Sequence, residues 1–102
     1  MDNCAVKIRR DGENYFFNTK LSDIEVLSLI GKALRVLSGQ KEHGDFYPPC
    51  EINQDTPVIA LYYEIRDCGE SKVTIVSRET QYITSQILQS AVAMLVTKLY
   101  SK

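Results

Sequence analysis

The chain has 102 residues and a mass of 11.6 kDa, which is the size of one domain with one core. With 44% hydrophobic and 25% charged residues it has enough apolar side chain to bury, which excludes intrinsic disorder. Twelve Lys plus Arg against thirteen Asp plus Glu leave a net charge of −1, which excludes a polycation built for duplex DNA and an acidic nucleic-acid mimic.

From the N-terminus, Cys4, Val6 and Ile8 alternate with Ala5, Lys7 and Arg9, which is the period of a strand. Asp11-Gly12 is a hairpin-turn signal, because such turns need φ > 0, and Tyr15-Phe16-Phe17 follows as the return strand. Residues 4–18 are expected to form an antiparallel hairpin. A helix then opens at Ser22, with Glu25 completing a capping box and Leu21 and Val26 in the positions of a hydrophobic staple. It is expected to end near Ser38, with Gly39 as the residue after the cap. Its polar stripe is narrow: Glu25, Ser28, Lys32 and Arg35. The apolar remainder, Ile24 included, is wider than one sheet face covers, so this helix needs a second partner.

Residues 39–57 hold all three prolines and the single histidine, and they are expected to be a long loop. Residues 58–66 alternate again, with Ile59, Leu61, Tyr63 and Ile65 opposite Val58, Ala60, Tyr62, Glu64 and Arg66. After a turn at Asp67-Cys68-Gly69, a fourth strand runs to Ser77, with Val73 and Ile75 on one side. The last helix covers about residues 80–100, with Ile83, Ile87, Ala91, Met94, Leu95 and Leu99 at helical spacing. Residues 4–38 and 58–101 thus look like two ββα halves of one domain, joined by the loop. The expected fold is an α+β two-layer sandwich of order ββαββα, a four-stranded antiparallel sheet with both helices on one face.

No family motif is present. Cys4, Cys50, Cys68 and His43 are zinc-ligand types but lack the close pair that builds half a site, so neither a structural metal nor a disulfide is expected. Cys50 and His43 share the loop, where Glu42, Asp45 or Glu51 stands ready to orient an imidazole, and a Cys/His-dependent enzyme is the third reading. A phosphate-binding loop is missing, since Gly31-Lys32 falls inside a helix, and no cofactor is implied. The start at Met1-Asp2-Asn3-Cys4 lacks an apolar signal segment. The most apolar run, residues 87–96, is far shorter than the ~20 residues of a membrane helix. The expectation is a cytoplasmic protein with free thiols and no membrane partner.

Two surfaces remain. The sheet face away from the helices is expected to carry Lys7, Arg9, Phe16, Tyr62, Arg66 and Thr74, the ingredients of a single-stranded nucleic-acid module, which is the second reading. Glu64 and the net charge disfavour a polyanion there. The last helix has no charged residue from 80 to 97, and Gln86, Gln89, Ser90, Ala93, Met94 and Thr97 are expected to form a homo-oligomeric interface. In size and loop-bearing α+β organisation the chain resembles the small inhibitors and ligand sponges that phages encode against host defence. That resemblance implies a non-enzymatic homo-oligomer that either blocks a host protein or sequesters a small anionic, nucleotide-like ligand. The candidate ligand residues are Arg9, Arg10, Phe46, Tyr47, Tyr62, Arg66 and Lys72, with the loop as recognition surface or, alternatively, with Phe46 and Tyr47 as a plug of the core.

Overall fold

The computed structural model describes residues 4–12, 14–53, 56–65 and 71–100. Strands β1 (Cys4–Asp11) and β2 (Asn14–Thr19) lead into helix α1 (Asp23–Leu37). A 3-10 turn (Lys41–His43), β3 (Gly44–Tyr47), β4 (Ile59–Ile65), β5 (Ser71–Ser77) and α2 (Gln81–Tyr100) follow. Arg66 and Cys68 lie outside the described residues, and so does Glu13 of the first turn. Asp11 is the last residue of β1, opposite Asn14, so Gly12 takes the first loop position with φ of 64°.

The α+β class holds, but the sheet has five strands in the order β2-β1-β4-β5-β3, and β3 runs parallel to β5. The expected four-stranded antiparallel sheet is therefore corrected, as is the reading of residues 39–57 as loop throughout. The additional strand, Gly-Asp-Phe-Tyr, is too short to show an alternation and runs straight into Pro48-Pro49. It begins on glycine because the backbones meet there: a Cβ on Gly44 would overlap the Val73 carbonyl.

One sheet face buries Val6 and Ile8 of β1, Ile59 and Leu61 of β4, and Val73 and Ile75 of β5. Against them pack Val26, Leu29, Ile30, Ala33 and Val36 of α1, and Ile87, Leu88, Ala91 and Leu95 of α2. Each Val, Leu or Ile among them contributes about 1.5–3 kcal/mol when fully buried. Helix α1 lies over β3 and β5 and also packs along α2, which is the second partner its wide apolar surface needs. Ile24 is the exception, since it is exposed. Local signals set the ends of α1. Ser22 and Glu25 close a capping box. At the other end Gly39 (φ 110°) donates its N–H to Val36 and Gln40 donates to Arg35, the paired bonds of a Schellman motif. Where β5 turns into α2, the buried Ser77 and Thr84 hydroxyls share a hydrogen bond of 2.6 Å.

Cys4 does not share a face with Val6. The β1–β4 register shifts between the two residues, so that Cys4 pairs with Tyr62 while Val6 pairs with Leu61. This bulge reverses the alternation at the strand start, and Ala5 rather than Cys4 packs against the core.

Candidate binding cleft on the open sheet face

Because both helices cover one face, the other face is left to the strand residues between the core positions. The register sets them in rows. Asn18, Lys7, Ala60, Val76 and Tyr47 form one row across all five strands. The next row is Cys4, Tyr62, Thr74 and Asp45, and Glu64 pairs with Lys72 beyond it. Arg9 and Phe16 stand opposite each other on the β1–β2 side. Thus Lys7, Arg9, Phe16, Tyr62 and Thr74 do share a face, as expected.

The chain between β3 and β4 turns this face into a cleft. Residues 48–58 must cross only the width of β5, about 10 Å between β3 and β4, whereas extended they would span over ~30 Å. Of this segment, Pro48, Pro49, Cys50, Asn53, Thr56 and Pro57 border the open face. Asn53 and Thr56 hold the segment: the Asn53 N–H donates to Thr56 Oγ1 at 3.0 Å, and the Thr56 N–H donates back to the Asn53 carbonyl at 3.2 Å. The result is a cleft of about 710 Å³. Its floor is Ala60, Val76 and Thr74, small side chains that leave depth. Tyr47 and Tyr62 rise beside that floor, Lys7 closes the end towards β2, and Pro48, Pro49 and Pro57 stiffen the outer wall. Tyr47 is 52% exposed and presents its ring to solvent.

The candidate ligand residues do not all gather here. Tyr47 and Tyr62 line the cleft, and Arg9 lies on the same face two residues from Lys7. Phe46 alternates to the opposite side, pairs with Ile75 and packs against the core. Arg10 also points to the other face, where its guanidinium lies 5.9 Å over the Tyr15 ring and Nε donates to the Gly12 carbonyl. Lys72 is on the open face, 4.0 Å from Asp45 as an ion pair. Of the adjacent pair, Phe46 is thus packed against the core and Tyr47 lines the cleft. The cleft residues that the sequence did not reveal are Ala60, Val76, Asn53, Thr56 and Pro57, because their convergence depends on strand order.

The loop thiol and imidazole are not brought together. Cys50 lines the cleft, while His43 sits before β3, with Nε2 3.8 Å from Glu42. The four-residue strand between them is ~13 Å long, beyond hydrogen-bond reach. Cys50 is an exposed free thiol, and no three of His, Cys, Asp and Glu converge as metal ligands among the described residues. No helix is long and apolar enough to cross a membrane among the described residues. The expected interface positions on α2, Gln86, Gln89, Ser90, Ala93, Met94 and Thr97, are all exposed, and the buried stripe is Thr84, Ile87, Leu88, Ala91 and Leu95.

The chain matches no protein-family model, no curated protein and no solved structure.

Proposed function

We propose that the chain is a non-enzymatic binding protein that sequesters a small ligand with a planar ring and a negative charge, of the nucleotide class, in the cleft of the open sheet face. The observation that carries this reading is the convergence of Tyr47, Tyr62 and Lys7 around a floor of small side chains. A planar ring stacks on tyrosine with a gain of about 1–3 kcal/mol per ring, and the small side chains of the floor leave the depth to admit it. The Lys7 ammonium lies at the same cleft, and Arg9 is about 7 Å further along the same strand face, within reach of a phosphate on that ring. Prolines in the wall lower the entropy lost when the cleft closes on a ligand.

A single nucleotide suits the face better than a strand of nucleic acid. Asp45 and Glu64 occupy the end towards Lys72, so a polyanion running the length of the sheet meets two carboxylates. The row Lys7, Arg9 and Phe16 is the observation in favour of the nucleic-acid reading. Titration separates the two. The chain has no Trp and six Tyr, of which Tyr47 and Tyr62 line the cleft, so the part of the tyrosine quenching that is lost in Tyr62→Ala reports on the cleft. Saturable quenching by nucleoside monophosphates is expected, with affinity reduced by about 5- to 150-fold in Tyr62→Ala. Tighter binding of a single-stranded oligonucleotide with a steep salt dependence would favour the second reading. Absence of saturation by either ligand up to millimolar concentration would refute the cleft as a site of this class.

A further inference from the structure

We infer that a second copy of this chain docks against the open edge of β2 and the adjoining flank of α2, continuing the sheet across a two-fold axis. The two edges of the sheet differ. On one side β3 ends the sheet as a strand of four residues that runs into two prolines, a poor template for further pairing. On the other side β2 ends it with Asn-Tyr-Phe-Phe-Asn-Thr, six residues without a charge or a proline. No strand pairs with the outer side of β2 among the described residues. Such an edge is a ready partner for another strand.

The second observation is independent of the edge. Helix α2 lies beside β2, since Ile87, Ser90, Ala91 and Met94 line a groove of about 180 Å³ with Asn14, Tyr15 and Phe17. Continuing past that groove, Gln86, Ser90, Met94 and Thr97 recur at intervals of four, four and three, which places them on one flank of the helix. All four are exposed and none is charged. The single charged residue of α2, Lys98, is paired with Asp23 at 3.5 Å.

These two features form one surface. A two-fold perpendicular to the sheet sets β2 antiparallel to its mate and keeps the helices of both copies on the same side. Helices pack 8–10 Å apart, about the width of two strands, so the α2 of the second copy arrives at the next helix position of the extended layer. The wall so covered is about 25 Å long and about 20 Å high, roughly 500 Å² in projection, which is on the scale of the ~800 Å² of rough molecular surface that each partner of a stable dimer buries. Charge selects the occupant. Apart from the Arg10 guanidinium over the Tyr15 ring, this wall offers no charge to a charged partner, which would be stripped of water there, whereas a second copy brings the same uncharged amides, hydroxyls and apolar groups.

This inference does not depend on the cleft, and its readout is mass rather than ligand binding. The full chain is examined by sedimentation from 1 to 100 µM, and a mass of two chains is expected. Ser90→Glu places like charges across the axis and is expected to weaken association roughly 100-fold or more. Val96→Glu, on the side of α2 turned away from β2, is expected to leave the dimer intact. Hydrogen exchange is expected to show alternate β2 amides protected in the parent chain and released in Ser90→Glu. Should Ser90→Glu fail to fold, Gln86→Lys makes the same test from an exposed position. A parent chain that is monomeric at 100 µM overturns the inference. So does a dimer that survives Ser90→Glu, or one that Val96→Glu breaks.

Discussion

Phe46 and Tyr47 are adjacent aromatics on one short strand, and their substitutions are expected to have opposite consequences. Phe46 pairs with Ile75 on the core face and is partly buried against the core beneath α1, while Tyr47 pairs with Val76 on the open face and is half exposed in the cleft. Truncating a fully buried Phe costs about 3–5 kcal/mol. Because Phe46 is only partly covered, Phe46→Ser is expected to cost about 2–3 kcal/mol, with the serine hydroxyl brought against an apolar layer included. For a domain of this size that lowers the melting temperature by about 10–20 °C. Tyr47→Ser removes a ring that gives up little buried area, so stability stays within about 0.5 kcal/mol. It also removes one of two stacking surfaces, and nucleotide affinity falls by about 5- to 150-fold. Thermal unfolding by circular dichroism and titration by calorimetry read the two effects separately. If Tyr47→Ser lowers the melting temperature as far as Phe46→Ser does, the assignment of opposite faces is wrong. If Phe46→Ser leaves stability unchanged, β3 does not carry the core contact described.

Gly44→Ala forces a methyl group into the Val73 carbonyl, and a urea midpoint corresponding to a loss of about 1–3 kcal/mol is expected, because backbone cannot give way as a side-chain tip can. Thr84→Val removes one partner of the buried Ser77–Thr84 bond, and since Ser77 still accepts from the Glu79 N–H at 3.1 Å the cost is expected at only about 1–2 kcal/mol, measured by the same unfolding curve. Cys50 is exposed at the cleft whereas the Cys4 thiol donates to the Val6 carbonyl at 3.1 Å, so peptide mapping after brief alkylation is expected to find Cys50 modified before Cys4 and slowed by a bound nucleoside monophosphate. Equal labelling with and without nucleotide would remove Cys50 from the ligand's path.

What was legible in the sequence is what short-range physics decides. Ser22, Glu25 and Gly39 mark the ends of α1 because each satisfies backbone groups within a few residues of itself. Ile59 and Leu61 mark β4 because both are buried on the helix side of the sheet, although Tyr63, next on that side, is exposed and Ala60 on the other side is buried. What was not legible depends on partners distant in the chain. The face of Cys4 follows from a bulge against β4, some 57 residues away at Leu61, and the side chains of residues 4–8 alternate as though it were absent. β3 owes its existence to β5, since four residues have no strand signal of their own. The cleft was legible only as residue types: Tyr62 and Lys7 are recognisable as open-face residues, but the depth given by Ala60 and Val76 emerges only when β1, β4, β5 and β3 are laid side by side.

The connector between the two ββα halves performs two tasks that a minimal link would not. In the sheet order the hairpins β2-β1 and β4-β5 meet through their first strands, so β2 and β5 occupy equivalent outer positions. Each helix lies over the hairpin of the other half, α1 over β5 and α2 beside β2, which is the arrangement of an internal two-fold. The connector breaks that equivalence. By adding β3 to β5 it covers one outer edge and supplies Phe46 to the core, and by bordering the open face it walls the cleft. Among the described residues no corresponding segment pairs with the outer side of β2, whose own connection to α1 is the short passage 20–22. The asymmetry thus has a single cause: one intersegment link is long and the other short. On the long side the chain completes itself and forms the cleft; on the short side it leaves an uncharged edge beside an uncharged helix flank, the geometry a second copy satisfies.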